Sequence, residues 1–334
     1  MKKKILVLKN DRAGDLISSL RLINKLINNN FVNIYLSEYN YNYKFLFPKT
    51  YIKKVNFNLT LKDKLFIFND IKKNQYDEIF ILSPKNFYFF LPLLFRRINF
   101  YAIVINGKKR NRPFLFLRKF LTKFSIRYRN KLNNQNIIES NLSLIDASIG
   151  TNCDNLQFKN LDLKILSKIS DDYVFFQFKK RFFDELNWGI NEFEKIIDYL
   201  KKKYSKVVFS SDLENNKINE YFINKYSSID FENNYFYNKK NDNNVVYLNK
   251  IDANNLFLII KNANKILGPH GLLTQISYLF NKDSLNLFSF KINNKQDYYH
   301  QKISFSEWYS NMGIKFTFLN NDINKAIRKI SKFI

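Results

Sequence analysis

Residues 5–27, ILVLKNDRAGDLISSLRLINKLI, constrain this chain more than any other stretch. Ile5, Leu6, Val7 and Leu8 form an uninterrupted apolar run, the pattern of a strand covered on both faces in a parallel sheet. After a short polar turn ending in Gly14 and Asp15, Leu16, Leu20, Ile23 and Ile27, with Ile17 and Leu26, recur at helical spacing and give one buried stripe. A strand feeding a helix in this way belongs to an open α/β sheet, whose ligands bind outside the carboxyl ends of the strands. The turn therefore sets the Asp15 carboxylate where chemistry is done. Its bland alternative is a helix cap, worth about 0.5–2 kcal/mol.

The same alternation continues. Strands are expected at 32–36, 78–82 and 101–105, and helices at 87–95, 113–124 and 137–149. The pattern restarts with a strand at 173–178, a helix at 191–202 opened by Asn191 and Glu194 as a capping box, and a strand at 206–209. A polar loop at 233–244 precedes a helix capped by Asp252, a strand at 265–267, a helix at 271–280 and a strand at 284–288. The expected fold class is α/β, with two Rossmann-like doubly wound domains facing a central cleft. The boundaries are 1–165 for the first domain and 166–318 for the second. Residues 319–334 form a terminal helix expected to pack back on the first.

Charge is distributed unevenly. Residues 1–165 hold 30 Lys and Arg against 11 Asp and Glu, so most of the net +26 belongs to the first half. Between Arg96 and Lys131 stand 12 basic residues and no acidic one, interleaved with aromatics, which suits an anionic membrane surface or another polyanion. No nucleic-acid-binding motif accompanies them, which disfavours nucleic acid as the polyanion. The lone Cys153 fits a reducing compartment. The apolar run after Met1-Lys2-Lys3-Lys4 is too short for a signal peptide, and 87–95 is half a membrane span, so a cytoplasmic protein is expected.

Three further groups could hold a ligand. Gly268-Pro269-His270-Gly271, followed by Leu272 and Thr274, comes after a strand and opens a helix, where backbone N–H groups and the helix dipole suit a diphosphate; an ordinary tight turn is the alternative. Lys179, Lys180 and Arg181 follow the first strand of the second half, and they either neutralise a leaving diphosphate or form a solvated charged face. Ser210, Ser211 and Glu214 follow the next strand and could contact a nucleotide. There is neither GxGxxG nor a P-loop, which argues against nicotinamide enzymes and P-loop NTPases. With two His, one Cys and no Asp-x-Asp, no metal site is expected.

Nearly the whole chain resembles the heptosyltransferases of lipopolysaccharide core synthesis, glycosyltransferase family nine, which have the GT-B fold. The resemblance is carried by the opening strand, Gly-Asp turn and helix, by Tyr76-Asp77-Glu78-Ile79, by Glu139-Ser140-Asn141-Leu142, by Trp188 followed by Phe193, and by KVVFSSDLE at 206–214. Residues 245–280 are similar to that family's Leu-rich helix, strand and glycine turn. Here Pro269, His270 and Thr274 depart from the family's Asp, Ser/Thr and His, and Leu186 and Asn187 replace a basic residue before its Trp. The resemblance implies an inverting, metal-independent glycosyltransferase without cofactor, acting on the inner face of the cytoplasmic membrane. Asp15 would be the general base, and the three groups above would hold a nucleotide-diphosphate sugar. Arg12, Arg96, Arg97, Lys108, Lys109, Arg110, Arg112, Arg118 and Lys119 would face an anionic glycolipid or glycan acceptor, or the membrane. ADP-heptose is the first donor candidate, and the altered glycine turn leaves a different donor open. A non-catalytic membrane- or RNA-binding protein is the alternative from another class.

Overall fold

In the computed structural model, residues 2–48, 50–104, 126–130, 137–145, 169, 172–211, 217–238, 244–289 and 314–333 are described. The chain divides into two compact units, Met1–Leu156 with Phe305–Asn311, and Gln157–Ser304 with Met312–Ile334.

In the first unit the opening apolar run becomes β1 (Lys4–Lys9), and Ile5, Leu6, Val7 and Leu8 are fully buried. There follow α1 (Ala13–Asn29), β2 (Phe31–Ser37), β3 (Tyr51–Val55), α2 (Leu61–Asn74), β4 (Glu78–Ile81), α3 (Asn86–Leu94), β5 (Asn99–Val104), β6 (Ile126–Asn130) and α4 (Ile137–Leu142). The strands run in the order β3-β2-β1-β4-β5-β6, all parallel. Burial of both faces of β1 explains why its sequence does not alternate. Leu16, Leu20, Ile23 and Leu26 of α1 are buried, and Leu20→Ala would cost about 2–5 kcal/mol in such a site. Three elements of this unit, β3, α2 and β6, were not expected from the sequence. β3 is the edge strand of the sheet formed by the described residues, and its Lys53 and Lys54 interrupt the apolar pattern. α2 did carry a signal, because Thr60 and Asp63 form a reciprocal capping box. The helix expected at 137–149 is α helical only to Leu142 and continues as a 3-10 turn over Ser143–Ile145. The helix expected at 113–124 lies outside the described residues.

The second unit contains β7 (Tyr173–Gln177), α5 (Lys180–Glu185), α6 (Ile190–Lys201), β8 (Lys206–Ser210), α7 (Lys217–Lys225), β9 (Ser227–Asp230), β10 (Tyr235–Tyr237), β11 (Val245–Asn249), α8 (Ala253–Asn262), β12 (Lys265–Pro269), α9 (Leu272–Leu279), β13 (Ser284–Ser289), β14 (Lys315–Leu319) and α10 (Ile323–Ser331). Their order is β10-β9-β11-β8-β7-β12-β13-β14, parallel except for β10, which pairs antiparallel with β9. An aromatic core holds one face. Phe193 of α6 meets Phe222 at 4.6 Å and Phe209 at 5.0 Å between ring centroids, geometries that add to plain area burial.

Three expectations are corrected in this unit. The capping box of α6 is formed by Glu192, which accepts from the Gly189 N–H at 2.9 Å; Glu194 instead accepts from Tyr221 and Lys225. The polar loop at 233–244 contains β10. The terminal helix α10, expected to pack on the first unit, is built into the second. Its buried Ile323, Ala326 and Ile330 share a core with Phe193, Leu200 and Leu319, because an apolar stripe is most stabilised by the nearest unpaired apolar surface, here β14 and α6.

Candidate functional site

In each sheet one neighbouring strand pair marks where the chain's connections reverse direction, and loops leaving the carboxyl ends of that pair diverge around a crevice. In the first sheet this pair is β1 and β4; in the second it is β7 and β12. The sequence marks the crests in one way: Lys9 and Asn10, Gln177, and Ser210 are the first polar residues after buried apolar runs.

At the first crest Lys9 is only 3 % exposed. Its Nζ donates to Asp11 Oδ2 at 2.8 Å and to the Leu82 carbonyl at the end of β4 at 3.1 Å. Asn10 is fully buried, donating to the Asn56 carbonyl and accepting from the Tyr88 hydroxyl, both at 3.0 Å. The Ser37 hydroxyl donates to the Asp11 carbonyl, fixing the turn. Arg12 is the N-cap residue of α1 and makes no side-chain cap, so Asp15 falls in the first turn. Ser18 and Ser19 donate to the Asp15 carbonyl at 2.7 and 3.1 Å, and Asn141 of α4 donates to the Ser18 carbonyl at 3.1 Å, which holds that turn in place. Burial raises the Asp15 carboxyl above its ordinary range. The Lys9 ammonium opposes this, Asp11 adds to it, and Arg12 opposes it through its charge and a backbone hydrogen bond. The bond to the Arg12 backbone is a capping contact.

Arg12 is exposed at the same crest, whereas exposed Arg96 and Arg97 lie just before β5, at the amino edge of the parallel sheet, away from Asp15. α3 carries the chain back across the sheet before they appear. Lys108, Lys109, Arg110, Arg112, Arg118, Lys119 and Glu214 lie outside the described residues.

At the second crest the three basic residues separate. Lys180 and Arg181 pair with Asp184 and Glu185 one turn along α5, at 2.6 and 3.2 Å, and Arg181 is almost fully exposed. They form the solvated charged face. Lys179 instead reaches the glycine turn, where a Cβ on Gly271 would stand 3.8 Å from its Nζ. Gly271 has φ +138°, a conformation side chains rarely adopt, and it leads into α9. Gly268 is required for packing, since a Cβ there would lie 2.6 Å from Leu273 Cδ2 and 3.0 Å from Gln177 Cβ. Pro269 is buried at the end of β12, and Leu272 is the half-buried first residue of α9.

His270 keeps solvent exposure as a residue, yet its ring stacks on Phe288 at 4.6 Å. Loss of hydration and, secondarily, the Lys179 charge bring its pKa down to about 4, so it is neutral near pH 7. Thr274 is fully buried; it accepts from the Gly271 N–H at 3.0 Å and donates to Asn286. It is a support of the turn rather than a ligand contact, and the expectation for it is corrected. Ser211 likewise bonds to Asn219 and Tyr247. Ser210 is buried and pairs in register with Gln177; Ser210 Oγ and Gln177 Oε1 are both buried with no hydrogen-bond partner among the described residues. Sequence reasoning did not single out Gln177, although its place at the end of the YVFF run was a signal. Trp188 is a core residue whose indole donates to the Asn321 carbonyl at 3.0 Å.

Among the described residues no three His, Cys, Asp or Glu side chains cluster as a metal site, and no helix is long and apolar enough to cross a membrane. No protein-family model and no curated protein matches the sequence. Solved structures do match in fold. E. coli ADP-heptose lipopolysaccharide heptosyltransferase II superposes with TM-score 0.64 at 11 % identity, over 100 % of this chain and 98 % of that one. E. coli heptosyltransferase WaaC with ADP gives 0.59 at 11 %, over 99 % and 100 %. UDP-GlcNAc 2-epimerase from Methanocaldococcus jannaschii gives 0.55 at 13 %, over 98 % and 92 %. The fold is thus GT-B, built from two Rossmann-like units.

Proposed function

We propose that this chain is an inverting, metal-independent glycosyltransferase that takes its sugar from a nucleotide-diphosphate donor. The reading is carried by one observation: the chain sets a partly buried carboxylate, Asp15, at the crest of its first sheet and a cation on a glycine turn, Lys179 over Gly271, at the crest of its second. In the transfer, an acceptor hydroxyl attacks the anomeric carbon. Its proton passes to Asp15, the new C–O bond forms, and the bond to the diphosphate breaks. A carboxyl raised by burial is the stronger base. The departing diphosphate gains negative charge, which the Lys179 ammonium and the amino end of α9 stabilise. Neutral His270 serves as a hydrogen-bonding group for sugar or phosphate oxygens, and Gln177 and Ser210, at the carboxyl ends of β7 and β8, carry buried polar atoms without a partner among the described residues.

ADP-heptose is the first donor candidate, since two structural relatives are an ADP-heptose heptosyltransferase and a heptosyltransferase with ADP. The acceptor is a glycan of lipopolysaccharide-core type on an anionic lipid. For the membrane, the support is an exposed stripe on α3, Phe90, Leu93 and Leu94, ending in exposed Arg96 and Arg97. α2 packs on the same core and adds exposed Leu61 and Leu65, with Phe68 meeting Phe95 at 5.2 Å. Apolar side chains beside guanidinium groups suit an anionic bilayer surface. Co-sedimentation with phosphatidylglycerol vesicles but not phosphatidylcholine vesicles is expected, and Leu93→Glu/Leu94→Glu abolishes it.

The decisive experiment is a thermal-shift panel of ADP-heptose, UDP-GlcNAc and other nucleotide sugars, followed by product analysis. A shift with ADP-heptose and transfer to core glycan supports the reading. A shift with another donor and transfer keeps the class and changes the sugar. Epimerised UDP-GlcNAc without transfer overturns it.

A further inference from the structure

The first crest contains a buried ion pair to which the proposed transfer assigns no task. Lys9 Nζ lies between Asp11 Oδ2 at 2.8 Å and the Leu82 carbonyl at 3.1 Å, and its side chain is 4 % exposed. Asp11 is 14 % exposed, and its Oδ1 is buried with no hydrogen-bond partner among the described residues. Burying such a pair gains little stability, because desolvation offsets most of the attraction, while removing one partner strands the other charge. The pair also occupies a particular place. It closes the carboxyl ends of β1 and β4, four residues before Asp15, and the charges of both its members act on the Asp15 carboxyl.

We propose that Asp11 is a positioning residue: by holding the Lys9 ammonium on its own carboxylate, it keeps Lys9 from pairing with Asp15 and leaves Asp15 able to take the proton of an acceptor hydroxyl. This rests on the reading of Asp15 as the base. The electrostatics run the same way, since Lys9 depresses the Asp15 carboxyl and Asp11 raises it, and Arg12 is the other charged group acting on it from the loop. In the absence of the Asp11 charge the Lys9 ammonium acts on Asp15 unopposed by its own partner, and the base strength of Asp15 falls.

The test reads the Asp15 carboxyl directly, by NMR titration of the full chain with carbon-labelled aspartate, assigned through Asp15→Asn. Asp11→Asn should lower the Asp15 pKa by about one unit, a tenfold change in its proton affinity, and Lys9→Met/Asp11→Asn should restore it. Release of ADP from ADP-heptose with core glycan should fall about tenfold in Asp11→Asn, with the acid limb of its pH profile displaced downward, and recover in the double variant. A purely structural Asp11 would give a loss that removing Lys9 does not rescue. An Asp15 titration unmoved by Asp11→Asn, or equally low in the double variant, overturns the proposal. Should Asp11→Asn not fold, Lys9→Met alone decides: it leaves Asp11 bare, so the Asp15 pKa should rise, and no rise overturns the proposal. If Asp15→Asn keeps full turnover, the base assignment fails instead, and the titration still decides what Asp11 does to Lys9.

Discussion

The two sheets use one topological device for opposite electrostatic ends. Where β1 meets β4 the chain places Lys9, Asp11 and Asp15, two carboxylates against one ammonium that is itself sequestered. Where β7 meets β12 it places Lys179, neutral His270 and the amino end of a helix on a glycine turn. In the proposed transfer the first crest receives a proton and the second receives negative charge. Reversal of strand order supplies the crevice in both, while the first polar residues after the apolar runs decide its chemistry.

The sharpest way to break this contrast is at the carboxylate. Asp15→Asn is expected to cut transfer by about 10²–10⁴-fold, the range of general base catalysis, while the donor-induced thermal shift persists. Loss of that shift would move Asp15 to the donor side. Next comes the cation. Lys179→Met should weaken donor binding by about 1.5–3 kcal/mol, the scale of a charged hydrogen bond, whereas Lys180→Ala and Arg181→Ala should stay within about 0.5 kcal/mol, as exposed pairs do. Titration calorimetry with the donor separates these, and equal effects of all three would return Lys179 to the solvated face.

Gly268→Ala tests the floor of the second crest. With Leu273 and Gln177 in the way, it is expected to cost about 1–3 kcal/mol of stability by overpacking, read as a lower midpoint in urea. The smallest effect concerns pH. The folded pKa of His270 is depressed to about 4 from an ordinary 6.5, so the unfolded chain binds the extra proton between those values. His270 therefore contributes stability that is fully present above about pH 6.5 and is lost as pH falls toward 4. Its ring should titrate near 4 by NMR, and Lys179→Met should move that titration upward. A ring titrating at 6.5 would mean that His270 is fully hydrated and that the two crests differ less than proposed.

Much of the architecture was legible because burial writes itself into composition. The runs ILVL and YVFF announced central strands, Asp252 announced its helix, and the repeat of the βα pattern announced two Rossmann-like units. Elements that draw little on burial were not announced: β3 and β10 are edge strands with half-polar sequences. At the site, the sequence pointed to Asp15 and to the turn at 268–271 by their positions after strands. It could not separate Lys179 from Lys180 and Arg181, because three adjacent cations look alike until a helix sends two of them toward Asp184 and Glu185.

By itself, then, the sequence determined the central apolar strands such as β1 and β7, and that a carboxylate and a glycine turn follow the ends of two strands, since these depend on local apolar runs and backbone permissiveness. Only the tertiary structure decided which strands became neighbours, that Thr274 faces Asn286, that Arg96 and Arg97 stand at the far edge from Asp15, and that α10 joins α6. Those are contacts between distant parts of the chain. They are chosen by what remains unburied or unpaired once the local elements have formed, and no local pattern records them.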